Sequence, residues 1–214
     1  MTLGYEKFRR EYTAGGLARD RLDDSPLRQF ELWLEQAVEA GLKDPTAMVL
    51  ATVGENDTPG QRIVLLKGMS QGGFIFYTNL DSDKARAMAQ RPQVSLHFPW
   101  NVLDRQVIIG GHAEKMTATE SAAYFLTRPR ESQIAAWASR QSRPVSARAV
   151  LEQQFHGIRE KFAQGEIPMP DFWGGYRVIP QRIEFWQGRE HRLHDRFVYT
   201  LGSNAVWQIE QLQP

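Results

Sequence analysis

The chain has 214 residues, 42% of them hydrophobic and six of them Trp, which is enough apolar material for one substantial core and excludes a disordered chain. Its 26 Lys and Arg against 25 Asp and Glu leave a formal charge of +1, so no global field grips a polyanion, no nucleic-acid partner is expected, and any anion must be held by a local cluster. The absence of Cys excludes disulfides, thiolate metal sites and a Cys nucleophile; no apolar run approaches the roughly 18 residues of a membrane span and the start of the chain lacks a secretory apolar core, so the expected location is the cytosol, away from membranes.

Residues 1–24 are polar, Arg-rich and interrupted by Gly15 and Gly16, which predicts a mobile N-terminal arm ahead of a single domain over 25–214. Ser25 and Pro26 form an N-cap and N1 pair, and Leu27, Phe30, Leu34 and Val38 recur at helical spacing up to Gly41. The periodicity then changes. Residues 46–53, 61–67, 73–78, 94–98 and 105–116 are short β-branched and aromatic runs separated by turn residues. Long crossover helices between them are missing, which predicts an antiparallel, Greek-key-like barrel or a strongly curled sheet. A short helix over 81–90 interrupts the runs, capped by Asp81 or Ser82, and Gly110 with Gly111 suggests a bulge or a close backbone approach.

A helical section over about 118–162 follows. Thr117 and Glu120 have capping-box spacing for a helix over 118–127, Glu131 to Ala138 has helical character, and Ser146 is placed to cap a helix through Phe162. A Pro- and Gly-containing linker over 163–175 leads to closing strands over 176–187, 196–201 and 205–212. The fold class is therefore mainly β with flanking helices.

Four clusters have chemical content. In the run QRIVLLK, strand alternation sends Arg62 and Lys67 to opposite faces, where each could meet an anion; solubilising strand ends have the same composition. Tyr77, Thr78, Ser82 and Lys84 lie where a strand enters a capped helix, a place that suits a phosphate and also suits an ordinary surface Lys. Tyr124, Arg128 and Ser132 are spaced by four and align three phosphate donors if the helix continues through Pro129; a kink there scatters them. Trp186 offers a flat apolar face beside HRLHDR, residues 191–196, suited to a planar anionic ligand or to a packed ring next to a solvated turn. Gln141 and Ser142 add polar donors. Walker A, HExxH and strand-to-helix GxGxxG patterns are all missing, and no metal is expected.

Taken together, RREY, RIVLLK, FYTN, RQV, YFLTRPRESQ, FWGGYRV, IEFWQG and RLHDR resemble the pyridoxine (pyridoxamine) 5'-phosphate oxidases, from about Arg9 to Pro214. The resemblance implies a homodimeric FMN-binding split β-barrel with cofactor sites at the subunit interface. It implies FMN binding by Arg62, Ile63, Val64, Leu65, Leu66, Lys67, Tyr77, Thr78, Lys84, Gln106, Gln141, Ser142, Trp186 and Arg196. Substrate binding would fall to Arg9, Arg10, Glu11, Tyr12, Lys67, Tyr124, Arg128, Ser132, Arg192 and His194, with the arm as a lid. Arg192, His194 and Arg196 would carry the catalytic role.

The implied activity is that of a pyridoxal 5'-phosphate synthase, oxidising pyridoxine or pyridoxamine 5'-phosphate with O2 and releasing H2O2. A nicotinamide-dependent flavin reductase and a non-enzymatic flavin or pyridoxal phosphate store are the rival expectations. One position departs from the family pattern: many members carry a basic residue before the flavin-phosphate Lys, where this chain has Asp83 before Lys84. An inward carboxylate would repel a phosphate, so Asp83 is expected to turn outward toward Arg86.

Overall fold

The computed structural model describes residues 4, 11–13 and 15–214. Its helices are α1 (Pro26–Glu39), α2 (Asp83–Gln90), α3 (Ala118–Thr127), α4 (Arg130–Ala138) and α5 (Arg148–Lys161). Its strands are β1 (Ala47–Val53), β2 (Pro59–Leu65), β3 (Gly68–Ser70), β4 (Gly73–Asn79), β5 (Gln93–Trp100), β6 (Arg105–Lys115), β7 (Trp173–Gln187), β8 (Asp195–Leu201) and β9 (Trp207–Leu212). The strands form one sheet in the order β2-β1-β5-β6-β7-β4-β3, with β8 branching from β7 and carrying β9. The β3–β4, β4–β7, β7–β8 and β8–β9 pairs are antiparallel. The path ends at β2 and β3 without closing on itself, as in a split rather than a closed barrel.

By internal contacts the chain divides into two compact units: residues 1–49, 95–110 and 180–214, and residues 50–94 and 111–179. The first is built around α1. Ser25 Oγ accepts the Arg28 N–H at 3.4 Å and caps the helix, whose Phe30, Trp33 and Ala37 are buried. Phe30 meets Phe98 at 4.9 Å and Trp33 meets Phe185 at 5.1 Å, both edge to face. Tyr199 donates its hydroxyl to Asp23 O at 2.6 Å, so the buried ring leaves no orphan donor.

The second unit packs α3, α4 and α5 around Phe125, Ile134, Ile167 and Trp173. The Thr117–Glu120 capping box is present in full, and the same Glu120 receives Arg177 Nη2 at 2.8 Å. These hydrogen bonds, first the one from Thr117 and then the one from Arg177, hold the Glu120 carboxyl down at about 2. Gly175, paired with Tyr77 across β4 and β7, has a packing reason. A Cβ there would lie 2.6 Å from Met116 Sδ and 2.8 Å from the Tyr77 ring, so only a bare backbone lets that ring lie flat.

Several local expectations are corrected. Ser146 does not cap α5, which starts after Ala147 with no side-chain cap. Ser82 is the N-cap residue of α2, but its hydroxyl accepts from Lys84 instead of capping the helix. Trp173 to Gly175, read as linker, are strand residues paired with Asn79 to Tyr77. A Cβ on Gly110 would meet nothing closer than Arg182 O at 4.0 Å, so no tight approach explains that glycine.

Candidate functional site

In the second unit, a cavity of about 620 Å³ is bounded by the end of β2, the end of β4, the start of α2, and α3 and α4. Its walls include Arg62, Ile63, Val64, Leu65, Lys67, Tyr77, Thr78, Lys84, Tyr124, Arg128, Gln141 and Ser142, all expected site residues. Leu66 is instead 5% exposed and belongs to the core. Ser132 is not on the wall. α3 ends at Thr127, Arg128 is extended at ψ 147°, and Pro129 is the N-cap of α4, so the helical alignment of Tyr124, Arg128 and Ser132 does not form. Tyr124 and Arg128 both line the cavity nonetheless.

Arg62 and Lys67 both line this cavity, together with Ile63, Val64 and Leu65 between them. β2 stops at Leu65, and Lys67 lies beyond it with its N–H donated to Ile75 O at 2.8 Å.

The cationic end is built from neutral acceptors. Lys84 is 8% exposed, and its Nζ donates to Thr78 Oγ1 at 3.0 Å, Ser82 Oγ at 3.2 Å and Gln141 Oε1 at 2.8 Å. Burial, then the Arg62 charge, lowers its pKa to about 8, with Asp83 acting in the opposite direction. Arg62 Nη1 donates to Leu50 O, Thr52 Oγ1 and Gly60 O at 3.1, 2.8 and 3.0 Å, and burial lowers its pKa as well. Arg128 is lowered by burial too, and its buried Nη1 has no hydrogen-bond partner among the described residues. Three guanidinium and ammonium groups therefore line one cavity, and no carboxylate among the described residues neutralises them at hydrogen-bond distance. That arrangement is costly for the protein alone and suited to an anion that arrives from outside.

The other wall is aromatic. Tyr77 stacks on Tyr124 at 4.0 Å and on Trp173 at 5.1 Å, and the Arg128 guanidinium lies 4.8 Å from the Trp173 ring centre. Trp173, Asn79, Ser139 and the small Ala135 and Ala136 also line the cavity and were missed from sequence; the Trp of FWGG was the available signal. Asp83 turns its carboxylate to Arg86, as expected, yet it too lines the cavity.

The remaining expected residues belong to the first unit. Trp186 and Arg196 are cross-strand partners in the β7–β8 register, and His194 lies 4.7 Å from the Trp186 ring centre. Tyr12 meets Trp186 at 5.7 Å and His194 at 5.5 Å; Gly188 permits this, since a Cβ there would come within 2.8 Å of the Tyr12 ring. Glu11 Oε2 accepts the His191 N–H at 3.2 Å. His194 Nδ1 accepts the Arg189 N–H at 3.1 Å, so a neutral ring carries its proton on Nε2. His191 and Arg192 both sit at positive φ, 55° and 61°, an uncommon conformation for residues with a side chain. Arg196 gives Nε and Nη2 to Glu184 Oε1, each at 2.8 Å, and Gln106 Oε1 lies 3.1 Å from His97 Nε2. Arg9 and Arg10 lie outside the described residues.

A mainly antiparallel, unclosed sheet with flanking helices and a cationic, aromatic-walled cavity defines a split-barrel binding protein, and solved structures share the fold. PhzG from Burkholderia lata, solved in complex with tetrahydrophenazine-1-carboxylic acid, superposes with a TM-score of 0.86 at 27% identity, covering 92% of this chain and 98% of that one. A pyridoxamine 5'-phosphate oxidase-related, FMN binding protein from Nostoc punctiforme gives 0.72 at 14% identity, covering 90% and 100%. Residues 34–162 match the model of the family described as pyridoxamine 5'-phosphate oxidase, and residues 173–214 match that of the pyridoxine 5'-phosphate oxidase C-terminal dimerisation region. The chain belongs to the pyridoxamine 5'-phosphate oxidase family. It is 59% identical to a pyridoxine/pyridoxamine 5'-phosphate oxidase of Vibrio campbellii, over 96% of this chain and 97% of the relative. It is 56% identical to one of Pseudoalteromonas translucida, over 98% and 99%.

Proposed function

We propose that the chain is an FMN-dependent oxidase that converts pyridoxine or pyridoxamine 5'-phosphate to pyridoxal 5'-phosphate. The alcohol and O2 give the aldehyde and H2O2; the amine also consumes water and releases ammonia. The carrying observation is the buried Lys84, which donates to three neutral oxygens beside Arg62 in a cavity with an aromatic wall. A phosphate supplies the negative charge that this cluster lacks. The names of the relatives at 56% and 59% identity support the same substrate class.

FMN, when bound, supplies the hydride acceptor, and the chain supplies position and charge. Lys84 and Arg62 hold its phosphate, and Gln141, Ser142, Tyr77 and Thr78 fix the approach. Lys67, Tyr124 and Arg128, which line the cavity, take the substrate phosphate. The unpartnered Arg128 Nη1 fits that role, since a phosphate oxygen satisfies it. Two remote phosphate grips convert binding energy into alignment at the reacting carbon.

Arg192 and His194 orient the substrate ring, and His194 does so as a donor through Nε2, because its Nδ1 is occupied by the Arg189 N–H. Arg196 stabilises negative charge at the reacting end. The arm that carries Glu11 and Tyr12 acts as a lid on the domain over 25–214; the other expected lid residues, Arg9 and Arg10, lie outside the described residues. Two copies assemble through the region that includes residues 173–214, and residues of both complete each FMN site. The enzyme works in the cytosol; no helix among the described residues is long and apolar enough to cross a membrane.

The test is a visible spectrum of the purified protein before and after anaerobic addition of pyridoxine 5'-phosphate. A yellow protein bleached by that compound is expected. A protein bleached by NADH or NADPH and indifferent to pyridoxine 5'-phosphate is a reductase instead, and one that binds the ligand but forms no H2O2 in air is a store.

A further inference from the structure

The cavity of the second unit is lined by four cations, Arg62, Lys67, Lys84 and Arg128, and among the described residues by a single carboxylate, that of Asp83. Asp83 is the first residue of α2, next to Lys84 in sequence. Its N–H donates to Ser142 Oγ at 3.2 Å, so the backbone is tied to the polar wall, while its side chain turns to Arg86 one turn along the helix. That ion pair faces a second, smaller concavity lined by Gly54, Glu55 and Arg86, so Asp83 stands between the two. A carboxylate in the first turn also occupies the position where helix N–H groups and the helix dipole favour an incoming anion.

We propose that Asp83 limits the affinity of the phosphate grip: its carboxylate opposes an anion held by Lys84 and Arg62, and its ion pair with Arg86 sets how strongly it does so. The proposal rests on the assignment of this cavity to the phosphate of FMN. A negative charge beside a dianion repels it, and the Arg86 pair reduces but does not cancel the repulsion, because the Asp83 side chain is 66% exposed and screened. The same charge has a second effect. The charged groups acting on Lys84 are Arg62, which favours loss of its proton, and Asp83, which favours retention. Removing Asp83 therefore strengthens the grip where Lys84 is charged and makes that charge easier to lose at higher pH.

The test measures FMN and riboflavin dissociation constants by flavin fluorescence on the full chain stripped of flavin, at low salt. Riboflavin lacks the phosphate, so the ratio of the two constants isolates the grip. At pH 7, Asp83→Asn is expected to tighten FMN by about three- to tenfold and leave riboflavin unchanged, an effect of the size that exposed charges exert on a dianion. The gain shrinks above pH 8. Arg86→Ala weakens FMN by about two- to threefold in the native background and has no effect in the Asp83→Asn background, since the released carboxylate is then absent.

Lys84→Gln separates the two levels of inference. If it leaves the FMN to riboflavin ratio unchanged, this cavity does not hold the phosphate. If it collapses the ratio while Asp83→Asn leaves FMN affinity unchanged or weaker, the phosphate assignment stands and the role given to Asp83 is wrong. Independent effects of Asp83→Asn and Arg86→Ala would overturn the part assigned to their pair.

Discussion

Lys84 and Arg196 are both cations placed by strand and helix ends, but the protein treats their charges in opposite ways. Lys84 is buried and, among the described residues, donates to the neutral oxygens of Thr78, Ser82 and Gln141. Arg196 is 30% exposed and held by the buried carboxylate of Glu184, which also receives Arg182 Nη2 at 2.8 Å. The register explains the second arrangement. Arg182, Glu184 and Trp186 alternate onto one face of β7, and Arg196 pairs across from Trp186, so its guanidinium lies diagonally within reach of Glu184. One site thus keeps an unneutralised charge for a ligand to meet, while the other holds a neutralised cation in a fixed pose. On the proposed function, the first charge supplies affinity for a phosphate and the second is a guanidinium that Glu184 holds in place at the reacting end.

The comparison is sharpened most by Lys84→Gln. It keeps a hydrogen-bonding group but removes the charge, and FMN affinity is expected to fall by about 10- to 100-fold in equilibrium titration, as for a charge-assisted hydrogen bond lost from a buried site. Arg196→Lys cannot reproduce the Nε and Nη2 contacts with Glu184; turnover per bound FMN is expected to drop by about tenfold while FMN retention changes little. Arg62→Ala should do the reverse, losing FMN while the flavin that remains turns over.

Glu184→Gln leaves Arg182 and Arg196 without a counter-charge. Because both are partly exposed, the expected loss is about 1–2 kcal/mol in chemical denaturation, less than for a fully buried pair.

The smallest effect is on stability against pH. The folded-state pKa of Lys84, about 8, lies below its ordinary value of 10.5, so the unfolded chain binds more protons between those limits. The contribution of this residue to the stability of the flavin-free protein therefore rises as pH increases through that window. The difference between native protein and Lys84→Gln in melting temperature across pH 8 to 10.5 measures it. A flat difference would mean that Lys84 is not buried as a charge.

What the sequence made legible was local. Ser25 before Pro26 and the Thr117–Glu120 box mark helix starts within four residues, and both are present. The cationic and aromatic clusters were visible as residue types, but each also suited a surface role, and the family resemblance was what singled them out. What was not legible depended on where elements stop. β2 ends two residues earlier than its apolar run, and Trp173 becomes a wall because β7 pairs with β4 through a segment that reads as linker. Strand ends are set by partners distant in sequence, as with Trp173 opposite Asn79, and local composition does not record them. Ser132 shows the converse: a spacing of four has meaning only while the helix continues, and Pro129 ends it.

Proton uptake on FMN binding at pH 8, measured by titration calorimetry in two buffers of different ionisation enthalpy, tests the buried-cation grip most directly. With the Lys84 pKa at about 8 before binding and raised by the phosphate, about half a proton per FMN should be taken up, none should accompany riboflavin, and Lys84→Gln should abolish the uptake. FMN binding with no proton uptake, or with uptake that persists in Lys84→Gln, would contradict it.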